Sequence, residues 1–234
     1  MSALSDLYNA HLTIKGHDIQ WIEIIGNGFG FGSAIGGLRR QVWAWPVGIV
    51  GNVLLFAVFV GASVDGAQTP LLGQAARQVF FVIVSVYGWH RWRQNKRAGR
   101  TDDAPAVRPR WATPSERAAY LAVSAVAVAV CAWPLYQIGV AYWDPPNWYF
   151  LADSWILVGS ILATYAMARG WVDFWLCWIA VDIVGVPELI YFERYPSAVL
   201  YGVYLVLVVY GFWSWRKIAR AEPLADPEME AVGL

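Results

Sequence analysis

Seven apolar runs, each about as long as a bilayer is thick, leave few folds open to this chain. They occupy residues 20–38, 42–62, 70–92, 114–140, 148–168, 171–192 and 196–215. A helix needs ~20 mostly apolar residues to cross the hydrocarbon, and it satisfies its own backbone while doing so. Runs of this length therefore read as transmembrane helices. The chain is 58% hydrophobic with zero formal net charge and a mean hydropathy of +0.43. That balance belongs to a membrane protein and leaves no basic surface for nucleic acid. The expected fold class is an all-α membrane protein of seven transmembrane helices. Residues 1–20 lack a basic stretch followed by an apolar core, so no cleaved signal peptide is expected.

Orientation follows from the basic residues. With the amino terminus outside, the inner side collects Arg39, Arg40, the basic group between Arg91 and Arg117, Arg169, Arg216, Lys217 and Arg220. The outer side keeps Lys15, Arg77 and Arg194. The positive-inside rule then puts the carboxyl terminus in the cytoplasm. Residues 93–113 read as a basic cytoplasmic loop, ended by the capping box Thr113-Pro-Ser-Glu116 that starts the fourth helix. Residues 216–234 read as a cytoplasmic tail.

The sixth run carries the chemistry. On a helix, Trp171, Trp175, Trp178 and Asp182 share one face. Asp182 stands near the midplane, where a carboxylate costs on the order of 3 kcal/mol unless it faces protein or a wet cavity. A row of indoles leading to a buried acid suits a flat ring with polar edges. Single tryptophans of this kind more often pack or anchor than bind.

The two ends of the chain match. Trp45 precedes Asn52 by the interval that separates Trp175 from Asp182, and Val86-Tyr-Gly-Trp-His-Arg-Trp-Arg93 resembles Val209-Tyr-Gly-Phe-Trp-Ser-Trp-Arg216. Residues 1–92 and 148–215 therefore read as two parallel three-helix repeats, joined by a linking helix at 114–140. A substrate site between such repeats lies near the midplane. The polar faces expected to line it are Gln41, Trp45, Asn52 and Phe56 on the second helix, and Gln74, Gln78, Ser85 and Trp89 on the third. Gly26, Gly28, Gly30, Gly32 and Gly36 of the first helix allow close helix approach.

These motifs resemble the PnuC family of bacterial vitamin transporters. The resemblance rests on Trp21-Ile-Glu-Ile-Ile-Gly26, Gln78-Val-Phe-Phe81, Tyr87-Gly-Trp89, Asp153-Ser154 and Trp175-x-x-Trp178-x-x-x-Asp182. It implies a 3-1-3 arrangement similar to SWEET sugar transporters, in the bacterial cytoplasmic membrane, passing a vitamin down its gradient by alternating access. Nicotinamide riboside carriers of the family usually have Asn where Asp182 stands. They have Glu ahead of the first Trp, where this chain has Asp173, and tend to have Asn at Ser85. Residues 159–171 and 178–187 look closest to the actinobacterial riboflavin branch. The resemblance thus implies riboflavin, with nicotinamide riboside or thiamine as alternatives. Trp175 and Trp178 would stack the ring, and Asp182, Asn52, Gln78 and Ser85 would recognise its polar groups. Trp45 and Trp171 are second choices. No cofactor or metal is implied, and a homo-oligomer stays open.

Other classes fit less well. A retinal photoreceptor needs a lysine inside the bundle, and Lys15, Lys96 and Lys217 all lie outside the runs. An enzyme needs a metal cluster, a nucleophile–base pair or a phosphate loop, and the sequence offers none. A non-transporting receptor stays open, though it has no need of matched polar faces.

Overall fold

The computed structural model describes residues 11–14, 17–64, 72–98, 106–142, 146–191 and 195–221. Arg100, Lys15, Arg194, the tail beyond Ala221 and the side chain of Gln74 lie outside the described residues. The chain divides into two compact units, residues 1–107 and 108–234. Among the described residues there are seven α-helices, one for each apolar run.

The first unit holds α1 (Trp21–Leu38), α2 (Ala44–Val64) and α3 (Leu72–Ala98), with α2 packed against both α1 and α3. Glycine sets the α1–α2 contact. A Cβ on Gly51 would lie 2.9 Å from the Gly26 carbonyl and 3.1 Å from the Gly30 nitrogen, so the two backbones nearly touch. Gly28 faces open space and takes no part. Ahead of α1 stands an element absent from the helical reading, a hairpin of β1 (His11–Ile14) and β2 (His17–Gln20). Its register pairs Leu12 with Ile19 and Thr13 with Asp18.

α3 continues to Ala98, six residues beyond the end of its apolar run at 92. The basic residues Arg93, Lys96 and Arg97 are therefore helical rather than part of a loop. Hydropathy marks where a helix leaves the hydrocarbon and says nothing of how far it extends into water.

The second unit holds α4 (Pro114–Tyr142), α5 (Asn147–Ala168), α6 (Asp173–Tyr191) and α7 (Tyr195–Ala221), each packed on its neighbour in the chain. The capping box forms as expected. The Glu116 amide donates to Thr113 Oγ1 at 3.2 Å, and the Thr113 amide donates to Glu116 Oε2 at 2.9 Å. Among the described residues, Pro114–Gln137, Asn147–Ala168 and Val199–Ala221 are long and apolar enough to cross a membrane. Both cysteines are free.

α1 and α5 end in the same way. The Gln41 and Arg40 amides donate to Gly36 and Gly37 carbonyls at 2.9 and 3.0 Å. The Trp171 and Gly170 amides donate to Ala166 and Met167 at 3.1 and 2.9 Å. Each is a Schellman motif, with Arg40 (φ 58°) and Gly170 (φ 75°) supplying the left-handed residue. Every bond in one turn has its counterpart 130 positions later, the interval from Trp45 to Trp175. Both turns also receive an extended segment. The Ala106 amide donates to the Arg40 carbonyl in the first unit, and the Arg110 amide to the Gly170 carbonyl in the second.

Candidate functional site

In the second unit, α6 starts at Asp173 rather than at 171. Trp171 thus lies outside the helix, in a parallel bridge with Arg110, and does not join the stripe of Trp175 and Asp182. Gly170 is the cause: a glycine at the helix stop reverses the chain before α6 can begin. The Trp171 ring sits 5.8 Å from the Arg110 guanidinium and 5.7 Å from that of Arg169. Both arginines bind Glu116, at 2.7 and 3.2 Å.

Asp173 joins the same polar cluster at the start of α6. It accepts the Ala112 amide at 2.8 Å and Arg117 Nε at 2.7 Å. These bonds tie the start of α4 and the preceding extended segment to the foot of α6. Ala112 is buried as a result.

Trp175 lies over a gap that only glycine leaves. A Cβ on Gly211 of α7 would come within 2.4, 2.5 and 2.6 Å of three carbons of its six-membered ring. Fully buried Trp215 meets it edge-on at 6.0 Å, and Phe174 lies tilted beside it at 4.2 Å. The indole Nε1 is buried with no hydrogen-bond acceptor. Trp178 is half-buried on the following turn.

Asp182 is the central residue of α6, nine positions from each end. It is 3% exposed, and its Oδ2 has no hydrogen-bond donor. Buried polar atoms are nearly always satisfied. An unsatisfied carboxylate oxygen in an apolar helix, like the Trp175 N–H, is therefore a group that a ligand can satisfy.

Two further members of this set were not singled out as site residues from the sequence. Ser154 of α5 is fully buried, and its Oγ has no partner. Glu188 of α6 is 8% exposed, and its Oε2 has none. An acid inside an apolar run is a signal, and Glu188 carries it as Asp182 does.

The first unit repeats the indole arrangement. Trp45 of α2 lies over Gly88 of α3, whose added Cβ would meet the same three ring carbons at 2.4, 2.5 and 2.6 Å. Fully buried Trp92 meets Trp45 edge-on at 5.2 Å. Trp45 Nε1 is again buried without an acceptor. Gln78 and Ser85 are buried on α3, while Asn52 is half-buried on α2.

The expected faces are narrower than drawn. Gln41 is exposed and precedes α2, and Phe56 is 38% exposed. On α3 the buried row runs Gln78, Ser85, Trp92 at steps of seven and leaves Trp89 outside. Each unit thus gathers its own candidates: Trp45, Gln78, Ser85 and Asn52 in the first, Trp175, Trp178 and Asp182 in the second.

The chain matches the family described as nicotinamide mononucleotide transporter over residues 20–217. It is 36% identical to the riboflavin/roseoflavin transporter RibM of Streptomyces davaonensis, over 87% of this chain and 88% of that protein. It is 23% identical to the nicotinamide riboside transporter PnuC of Escherichia coli, over 88% and 89%. Its fold is similar to the crystal structure of the vitamin B3 transporter PnuC, with a TM-score of 0.63 and 20% identity over 86% of this chain and 83% of that one.

Proposed function

Because the chain belongs to the nicotinamide mononucleotide transporter family, a family of multi-pass membrane carriers, we propose that it takes up riboflavin by facilitated diffusion through the cytoplasmic membrane. The observation that carries the substrate is the 36% identity, along nearly the whole chain, to a riboflavin/roseoflavin transporter. The more distant 23% likeness to a nicotinamide riboside carrier makes that vitamin the second reading.

The site chemistry supports a flavin. Trp175 and Trp178 offer π-faces to an isoalloxazine, each stacked pair contributing roughly 0.5–1.5 kcal/mol beyond area burial. Asp182 accepts a hydrogen bond from the ring edge, and the free Trp175 N–H donates one. Within the first unit, Asn52, Gln78 and Ser85 are the polar candidates, with Trp45 as the counterpart of Trp175. Trp171 sits among arginines and anchors the cytoplasmic end. The matched turns at Arg40 and Gly170, and the matched indoles over Gly88 and Gly211, support two parallel three-helix repeats joined by α4. In this reading transport proceeds by alternating access. The amino terminus lies outside, and Arg110, Arg117 and Arg169 lie at the cytoplasmic face.

The test is tryptophan quenching of purified protein in detergent by riboflavin, nicotinamide riboside and thiamine, for wild type and Asp182→Ala. Saturable quenching by riboflavin that weakens in the variant supports substrate and site together. Saturation by another vitamin alone keeps the carrier and overturns riboflavin. Silence with all three points to a receptor for something else.

A further inference from the structure

Glu188 stands six residues beyond Asp182 on α6, about 9 Å further along the axis and turned roughly 120° from it. It is therefore not a continuation of the Asp182 stripe. It looks instead toward α5, whose register against α6 is fixed by two contacts. An added Cβ on Gly159 would lie 2.7 Å from Val181, and one on Gly185 would lie 3.5 Å from Ile156. Continuing that antiparallel register brings Asp153 level with Glu188. The two carboxyl groups interact electrostatically, and both act on the Tyr149 hydroxyl one turn earlier on α5.

Within this group it is Glu188 that lacks a donor. Glu188 Oε2 is shielded from solvent and accepts no hydrogen bond. Nor does any ion pair among the described residues involve Glu188. Pro187, immediately before it, removes one backbone N–H from this stretch of α6. Burying a carboxylate oxygen without a donor is costly, and hydroxyl groups are the neutral donors that best relieve it.

We propose that Glu188, with Asp153 and Tyr149, forms a subsite in the outer half of the second unit for the hydroxylated chain of the substrate. The proposal rests on the flavin reading and deepens it. A flavin ring offers one N–H donor, whereas its ribityl chain offers a run of hydroxyls that two carboxyl groups can hold together. Asp182 and the indoles hold the ring, and Glu188 reads the polyol. Specificity for a sugar-alcohol tail thus arises on α5 and the outer end of α6, away from the ring site.

The test compares riboflavin with lumiflavin, which has the same ring and a methyl group in place of the chain. Binding is followed by tryptophan quenching in detergent for wild type, Glu188→Gln and Asp153→Asn. Expected is an approximately ten-fold loss of riboflavin affinity in Glu188→Gln, as for one hydrogen bond, with lumiflavin unchanged. Retained lumiflavin binding also shows that the variant is folded. If both ligands weaken equally in both variants, or neither weakens, the subsite is wrong and the flavin reading stands. If wild type binds neither ligand, the flavin reading fails and takes the subsite with it.

Discussion

A methyl group at Gly211 should dislodge the indole of Trp175. The added carbon would lie 2.4, 2.5 and 2.6 Å from three ring atoms, whereas carbon–carbon contacts are most favourable near ~3.5–4.0 Å. The ring must therefore retreat by about 1 Å. Behind it stand Phe174 at 4.2 Å and the fully buried Trp215, so room is scarce. Overpacking of this kind costs about 1–3 kcal/mol. Against it stands the gain of up to ~1 kcal/mol from replacing glycine by alanine in a helix. Gly202 separates the two effects, because nothing lies within 4 Å of its would-be Cβ. Gly202→Ala should hold or raise the melting temperature in detergent. Gly211→Ala should lower it, at roughly 2–4 °C per kcal/mol for a chain of this length, and should weaken ring binding. Gly88→Ala should produce the same fall through Trp45. A Gly211→Ala protein with wild-type melting and wild-type quenching would refute the claim that Trp175 is pinned against α7.

Other consequences are open to direct measurement. Replacing Asp182 by leucine should abolish ligand quenching without lowering the melting temperature, since an unpartnered buried carboxylate gains nothing for the fold; a marked loss of stability would make it structural. Thr113→Ala should cost about 1 kcal/mol of stability by removing the cap of α4 and leave ligand affinity alone; a thermal melt showing no change would sink the cap's role. Asp173→Ala should cost more than Arg117→Ala by on the order of 1 kcal/mol, because it alone strands the Ala112 amide. The Arg117–Asp173 coupling itself should stay within about 1 kcal/mol in a double-mutant cycle, since that arginine is largely exposed to solvent.

Much of this architecture can be read from residue order. The apolar runs mark all seven helices because a backbone in hydrocarbon has few alternatives. Thr113 and Glu116 announce the start of α4 through chemistry confined to four residues. The likeness between the two ends of the chain shows because Trp45 and Trp175, and the Tyr-Gly pairs before Trp92 and Trp215, are rare enough to align by eye. What escapes has equally definite causes. Trp171 falls in an apolar run, yet Gly170 ends α5 and sets the indole among arginines, and hydropathy cannot see a left-handed corner. Trp89 shares a four-residue spacing with Ser85, but α3 buries every seventh residue, Gln78, Ser85 and Trp92. The hairpin before Trp21 is two four-residue strands, shorter than a span search registers. Glu188 and Ser154 are noticed only when their oxygens prove to have no partner.

α4 is bolted at its foot and exposes one long apolar side. Glu116 and Arg117 fix its first turn, while only 6% of its apolar window is buried, and Leu121, Val126, Val130 and Trp133 are each at least 64% exposed. The helix packs on α5 along one side, and its exposed apolar side is suited to lipid, much as a mast is steadied by its rigging. Its sequence can drift freely among Ala, Val and Leu without touching the site. Its amides above the first turns should be the earliest to exchange when bilayer is replaced by detergent, while α5 and α6 remain closed.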